Sequence, residues 1–116
     1  MNILVVDNDS NIRKICKSLL VKEGHKVFQA NTVDKGLAIL KKEKIDCVLM
    51  EIMLGDIVKN GYYILEKINT FPKDARPRGL VMTSRKGILP EYTAFARGAY
   101  DLIPVSYTHL TLPTKA

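Results

Sequence analysis

Three short polar clusters hold the residues best suited to chemistry in this chain of 116 residues. Asp7-Asn8-Asp9 follows the apolar run Ile3-Leu4-Val5-Val6. Glu51 follows Cys47-Val48-Leu49-Met50, and Thr83-Ser84 follows Leu80-Val81-Met82. Their carboxylates, amide and hydroxyls are the groups of a polar binding site. Any one cluster could simply begin a loop. All three at the ends of apolar runs, far apart in sequence, point to one site assembled at one edge. Covalent hydrolysis is not suggested, because no Ser/His/Asp or Cys/His set stands at usable spacing. His25 follows Gly24 in a turn and is expected to face solvent, and His109 adds nothing to a site.

The elements that would position these clusters alternate along the chain. Ile3–Val6 reads as a strand covered on both faces. Asp9, Ser10 and Asn11 then offer helix N-cap chemistry. Ile12, Ile15, Cys16, Leu19 and Leu20 form the stripe of an amphipathic helix that Gly24 ends. Val27–Ala30 is a second strand. Asn31 or Thr32 caps a second helix with Val33, Leu37 and Leu40 on one face. The span Ile45 to Ile52 holds the strongest strand, and a loop rich in Gly, Asp and Asn follows from about Met53 to Gly61. Ile64, Leu65 and Ile68 mark a third helix stopped before Pro72, and Leu80–Thr83 is a fourth strand. Pro90 suits the first turn of a fourth helix, with Tyr92, Phe95 and Ala96 on its buried side and Gly98 at its end. Tyr100–Ile103 completes the pattern. Such alternation predicts an α/β fold with a parallel sheet and right-handed crossovers, in which ligands bind outside the carboxyl ends of the strands.

Composition narrows the classes. Apolar residues make up 47% and charged residues 26%, as in a globular chain, which excludes wholesale disorder and a collagen-like repeat. No apolar run is long enough for a bilayer, and Met1-Asn2 leads into the first strand without a signal-peptide pattern. Eighteen basic residues against twelve acidic give +6. They are scattered apart from Lys41, Lys42 and Lys44, and no aromatic residues interleave with them, so a solvated helix face is favoured over a nucleic-acid patch. Cys16 and Cys47 lie inside apolar segments and read as reduced and buried, which fits a cytoplasmic setting. No CxxC pair suggests a structural metal.

Five segments, in order, resemble the receiver domain of bacterial two-component response regulators. "ILVVDND" is similar to the family's first strand with its acidic pocket, and "DCVLMEIML" to the third strand that delivers the phosphoacceptor. "NGYYILEKI" resembles the Gly-led third helix, "LVMTS" the fourth strand with its hydroxyl residue, and "ARGAYDLI" the turn into the fifth strand. The resemblance covers Asn2 to about Pro104. It implies a flavodoxin-like, doubly wound sheet of five parallel strands in the order 2-1-3-4-5. It also implies a receiver that takes a phosphoryl group from a sensor histidine kinase or phosphotransfer protein and regulates a downstream output domain. Direct contact with nucleic acid or membrane is not expected of it.

In that family an aspartate at the end of the third strand accepts the phosphoryl group. Mg²⁺ is held by this aspartate and by acidic residues after the first strand, and it neutralises charge on the transferring group. Carried over, Asp7 matches the first acidic position and Asn8 stands at the second, with Asp9 beside it as a substitute for the lost charge. Glu51 stands where the acceptor aspartate is expected. Met53 matches the position whose backbone carbonyl completes the metal shell, Thr83 matches the phosphoryl-binding hydroxyl, and Leu102 occupies the aromatic switch position. Gly55 replaces a common proline in a loop about two residues longer than usual, where Asp56 offers a remote alternative acceptor. These departures predict weakened Mg²⁺ binding. A glutamate carboxylate reaches ~1.5 Å further than that of aspartate, and a misplacement of about 1 Å can cost roughly 10²-fold. Poor or absent phosphorylation is therefore expected, with Glu51 imitating the phosphorylated state only in part.

The expected domain spans residues 1–104. After Pro104 the family continues with a lysine and a fifth helix. Here Val105 takes the lysine position, and residues 105–116 have no helical period and resemble the translation of a sequencing adapter. The tail is therefore expected to be foreign to the fold. The missing helix would leave apolar surface exposed and the domain less stable or prone to associate.

Three functions compete. The first is a degenerate receiver, not an enzyme, that acts by protein–protein interaction through the fourth helix and fifth strand. The second is a conventional Mg²⁺-dependent phosphoacceptor. The third, a flavodoxin-like enzyme or nucleotide binder, lacks a Gly-rich phosphate loop where "DNDSN" stands.

Overall fold

The apolar runs become parallel strands and the amphipathic stripes become the helices between them. This is seen in a computed structural model that describes residues 1–51, 60–83 and 101–104, with backbone alone at 83 and 101–104. In chain order the elements are β1 (Asn2–Val6), α1 (Ser10–Lys22), β2 (Lys26–Ala30), α2 (Val33–Lys42), β3 (Cys47–Glu51), α3 (Gly61–Ile68), a 3₁₀ turn (Lys73–Ala75), β4 (Arg78–Thr83) and β5 (Asp101–Pro104). The strands form one five-stranded sheet in the order β2-β1-β3-β4-β5 with every pairing parallel, which is the expected flavodoxin-like arrangement.

Local chemistry sets the helix ends. The Asp9 carboxylate accepts from the Asn11 and Ile12 amides and starts α1. Thr32, rather than Asn31, caps α2 by accepting from the Lys35 amide. Asn60 caps α3 through the Tyr62 amide. Helix α1 stops where Gly24 takes φ +89°. The Gly24 amide then donates to the Val21 carbonyl and the His25 amide to the Leu20 carbonyl, both at 3.0 Å. This is the Schellman arrangement that glycine permits without a Cβ penalty. His25 itself is only partly exposed, and the Met1 amino group lies 3.1 Å from its Nδ1.

Strand alternation divides the core in two. Leu4, Val6, Val48, Met50 and Val81 face α2 and α3, where Val33, Leu40, Ile64, Leu65 and Ile68 pack on them. Ile3, Val5, Cys47, Leu49 and Met82 face the other way, against Ile12 and Cys16 of α1. Each fully buried side chain such as Leu4, Met50 or Ile64 contributes about 1.5–3 kcal/mol of apolar burial. Both cysteines are free and buried.

Several strand boundaries differ from the sequence reading: β1 begins one residue earlier, at Asn2, and β5 runs one residue later, Asp101–Pro104. Strand β4 begins at Arg78 rather than Leu80, because Arg78 pairs with Cys47 and Gly79 with Val48. Strand β2 begins one residue early, where the Lys26 amide bonds to the Met1 carbonyl. The fourth helix expected after Pro90, the loop residues Met53, Gly55 and Asp56, and the tail 105–116 lie outside the described residues, as does a fifth helix.

Candidate functional site

Parallel register brings two acidic residues to the same edge. Val6 of β1 is level with Met50 of β3, so Asp7 emerges beside Glu51. Glu51 is level with Met82 of β4, and Thr83 stands one residue further along. Adjacent strands are ~4.8 Å apart, which sets the scale of the gap between neighbouring backbones. Asp7 alternates in phase with Ile3 and Val5, and Glu51 with Cys47 and Leu49, so both belong to the α1 face of the sheet. Both are buried, at 2% and 6% exposure. The Asp7 amide donates to the Ala30 carbonyl at 3.1 Å, prolonging the pairing with β2 past the last strand residue.

The Asp7 carboxylate is held asymmetrically. Its Oδ1 accepts from the Asp9 amide at 2.8 Å. Its Oδ2 is buried and makes no hydrogen bond. Burial pushes the Asp7 carboxyl above its ordinary value; the Asp9 amide opposes this, the Asp9 charge reinforces it, and the Arg13 guanidinium opposes it. An unpartnered buried carboxylate oxygen is costly unless something binds it.

The other expected residues take different positions. Asn8 and Asp9 are exposed, and Asp9 Oδ1 is engaged at the start of α1, 2.8 Å from the Asn11 amide. Thr83 ends β4, with its backbone level with Pro104 of β5, and Leu102 is level with Val81. Two residues that the sequence reading did not place at the site now stand beside it. Arg13 Nη1 donates to the Asp7 carbonyl at 2.6 Å from the first turn of α1. Cys16 Sγ lies 3.9 Å from Met82 Sδ. Its thiol is pushed up to about 11, first by burial and then by the Asp7 charge. The only hint of Arg13 in the sequence is a basic residue one helical turn beyond the Asp9 cap, a spacing with many ordinary explanations.

The donor set suits a small hard cation. Magnesium is commonly bound through one or two carboxylates and otherwise keeps its water. Asp7, with its open buried oxygen, and Glu51 on the neighbouring strand are the groups that would hold it. Among the described residues no group of three or more His, Cys, Asp or Glu gathers, at this edge or elsewhere, so the protein would supply two carboxylates and water the rest.

The response regulator receiver domain family matches residues 3–111. The chain belongs to that family. The transcriptional regulatory protein YvrH of Bacillus subtilis is 26% identical over 115 residues, covering 98% of this chain and 46% of its own length. The regulatory protein VanRc of Enterococcus gallinarum is 28% identical, covering 97% of this chain and 47% of its own. The chain thus spans less than half the length of these relatives. Among solved structures, a CheY-like response regulator receiver domain protein from Methanospirillum hungatei JF-1 is 28% identical with a TM-score of 0.78, covering 89% of this chain and 79% of that one. Among the described residues of this receiver domain, no helix is long and apolar enough to cross a membrane.

Proposed function

We propose that this receiver domain is a degenerate one, which signals by protein–protein contact and accepts a phosphoryl group poorly or not at all. The observation that carries this reading is Glu51, buried at the carboxyl end of β3 on the same face as Asp7. In-line transfer depends on positioning to about 1 Å, and the longer glutamate side chain moves the attacking oxygen by roughly that amount. Asn8 removes one negative charge from the same edge. Glu51 then supplies a standing carboxylate where a phosphorylated receiver would carry about −1.5 to −2, so the imitation is partial.

Asp7 and Glu51 would hold Mg²⁺ weakly, with Asn8, Asp9 and the Met53 carbonyl as further oxygen donors and Thr83 as the phosphoryl-binding hydroxyl. When bound, the metal would offset charge on an incoming phosphoryl group. The partners we propose are a sensor histidine kinase or phosphotransfer protein and an output segment beyond this chain, in the cytoplasm. The description of YvrH as a transcriptional regulatory protein and of VanRc as a regulatory protein, and the greater length of both, support such an output.

A conventional Mg²⁺-dependent receiver is the second reading. It is favoured by the buried, unpartnered Asp7 Oδ2, which retains the capacity to ligate. The full chain incubated with MgCl₂ and acetyl phosphate separates the two. No acid-labile mass increase is expected; robust modification at Glu51, Asp7, Asp9 or Asp56 would overturn the degenerate reading.

A further inference from the structure

Arg13 is placed where its charge needs an explanation. It lies in the first turn of α1, four residues after the Asp9 cap, and its amide donates to the Asp9 carbonyl at 3.1 Å. The N-terminal end of a helix is its positive end, so a cation there is unfavourable on helix grounds alone. The first turn of α1 holds no acidic residue, and the one carboxylate at that end, the Asp9 cap, is engaged by the Asn11 and Ile12 amides. Yet Nη1 reaches back to the Asp7 carbonyl at 2.6 Å, a short, partly buried, charge-assisted contact at the end of β1. Further negative charge stands on the sheet: the carboxylate of Asp7, on which the Arg13 charge acts, is buried with Glu51 on the face that α1 covers.

We propose that Arg13 sets the divalent-cation affinity of the acidic edge: anchored on the Asp7 carbonyl oxygen, its guanidinium is the resident positive charge that opposes a metal ion binding to Asp7 and Glu51. This deepens the receiver reading and rests on it for the identity of the site. The Arg13 hydrogen bond goes to the backbone oxygen, while Asp7 Oδ2 stays without a partner. The opposition is therefore electrostatic, and the carboxylate oxygen remains open to a ligand. Asn8 makes the effect larger in proportion, because a neutral side chain stands where a third negative charge could have outweighed the guanidinium. Removing one positive charge several ångströms from a doubly charged ion, across a partly solvated gap, should tighten binding by roughly five- to tenfold.

The sign of the effect separates this from a merely structural role. If Arg13 only pinned the turn, its loss would loosen Asp7 and weaken metal binding. The test is calorimetric titration of the full chain with MgCl₂ and MnCl₂ for wild type, R13Q, R13M and R13K, with thermal unfolding in EDTA as the check on the fold. R13Q and R13M should bind Mg²⁺ about five- to tenfold more tightly, and R13K should stay within about twofold of wild type. Unchanged or weaker binding in both neutral variants overturns the proposal. So does the absence of measurable binding in every variant, or failure of R13Q and R13M to fold while R13K folds. None of those outcomes bears on the degenerate reading, which falls only if wild type is phosphorylated by acetyl phosphate.

Discussion

Asp7 and Glu51 stand side by side on the α1 face of the sheet, one residue past Val6 and Met50, which the β1–β3 register holds level. Two carboxylates are thereby buried at neighbouring strand ends, one of them with an oxygen that bonds to nothing. Such an arrangement lowers stability for the sake of a site, since apolar residues at both positions would continue the packing of Val5 and Leu49.

A pH dependence follows from Asp7. Its folded carboxyl is held above the ordinary 3.8, mainly by burial, so the folded chain binds that proton more tightly than the unfolded chain does. The stability contribution of the protonated form is complete below pH 3.8 and is lost as pH rises through the folded value. D7N removes this titration while keeping an oxygen to accept from the Asp9 amide. In EDTA the stability of D7N relative to wild type should therefore rise between acidic and neutral pH, and Mg²⁺ should reduce the difference. Urea unfolding at a series of pH values measures it; a difference that stays flat with pH would contradict the burial cost assigned to Asp7.

Shortening the side chain at Glu51 and restoring charge at position 8 should recover acceptor chemistry. The double variant E51D/N8D places a carboxylate ~1.5 Å nearer the strand end and returns one negative charge to the edge. Phosphorylation by acetyl phosphate with Mg²⁺ should rise by about 10²-fold over wild type, read as acid-labile mass. E51D alone should recover less, because the missing charge at Asn8 persists. No gain in the double variant would show that the site fails for reasons outside these two residues.

Much of this arrangement was legible in the residues. The runs Ile3–Val6 and Cys47–Met50 are too apolar for anything but strands covered on both faces, and the polar residues that follow them are then forced to a shared edge. The resemblance also anticipated the strand order. Which face each carboxylate takes was not legible, because it depends on register and on alternation across strands separated by some forty residues. Strand β4 was read two residues short, since Arg78 and Gly79 are not strand-forming by type and are held there by pairing with Cys47 and Val48. Arg13 was invisible because a basic residue on a solvated helix has no signature until its partner carbonyl is located.

Neither cysteine should behave as a reactive thiol. Burial is the first cause that pushes both Cys16 and Cys47 up to about 11. At pH 8 a thiol of that acidity is thiolate in about one molecule in 10³, against roughly a quarter for an unperturbed cysteine. Reaction with a disulfide reagent should thus be slow in the folded chain and should reach two equivalents only in denaturant. Rapid modification of the native chain at pH 8 would mean that α1 or β3 opens far more readily than the packing of Ile12, Leu49 and Met82 around them implies.

A close approach of helix to sheet at Gly79 gives a stability prediction that does not depend on the site. Gly79 of β4 lies under α3, and a Cβ built on it would fall 2.5 Å from Leu65 Cδ2, with Met50 Cε at 3.6 Å and Ile68 Cδ1 at 3.8 Å. Leu65 is 1% exposed and cannot swing away without disturbing Ile64 and Val81, which are fully buried beside it. Glycine is there so that α3 can sit directly on the sheet. G79A should therefore destabilise the domain by about 1–3 kcal/mol despite adding a single methyl group. Chemical denaturation should show the midpoint falling with little change in slope. L65V trims the clashing end of the leucine, so adding it to G79A should recover part of the loss, whereas L65V alone should cost about 1 kcal/mol through the space it leaves. Additive losses in the double variant would mean that the two side chains do not meet, and that α3 stands further from β4 than this packing requires.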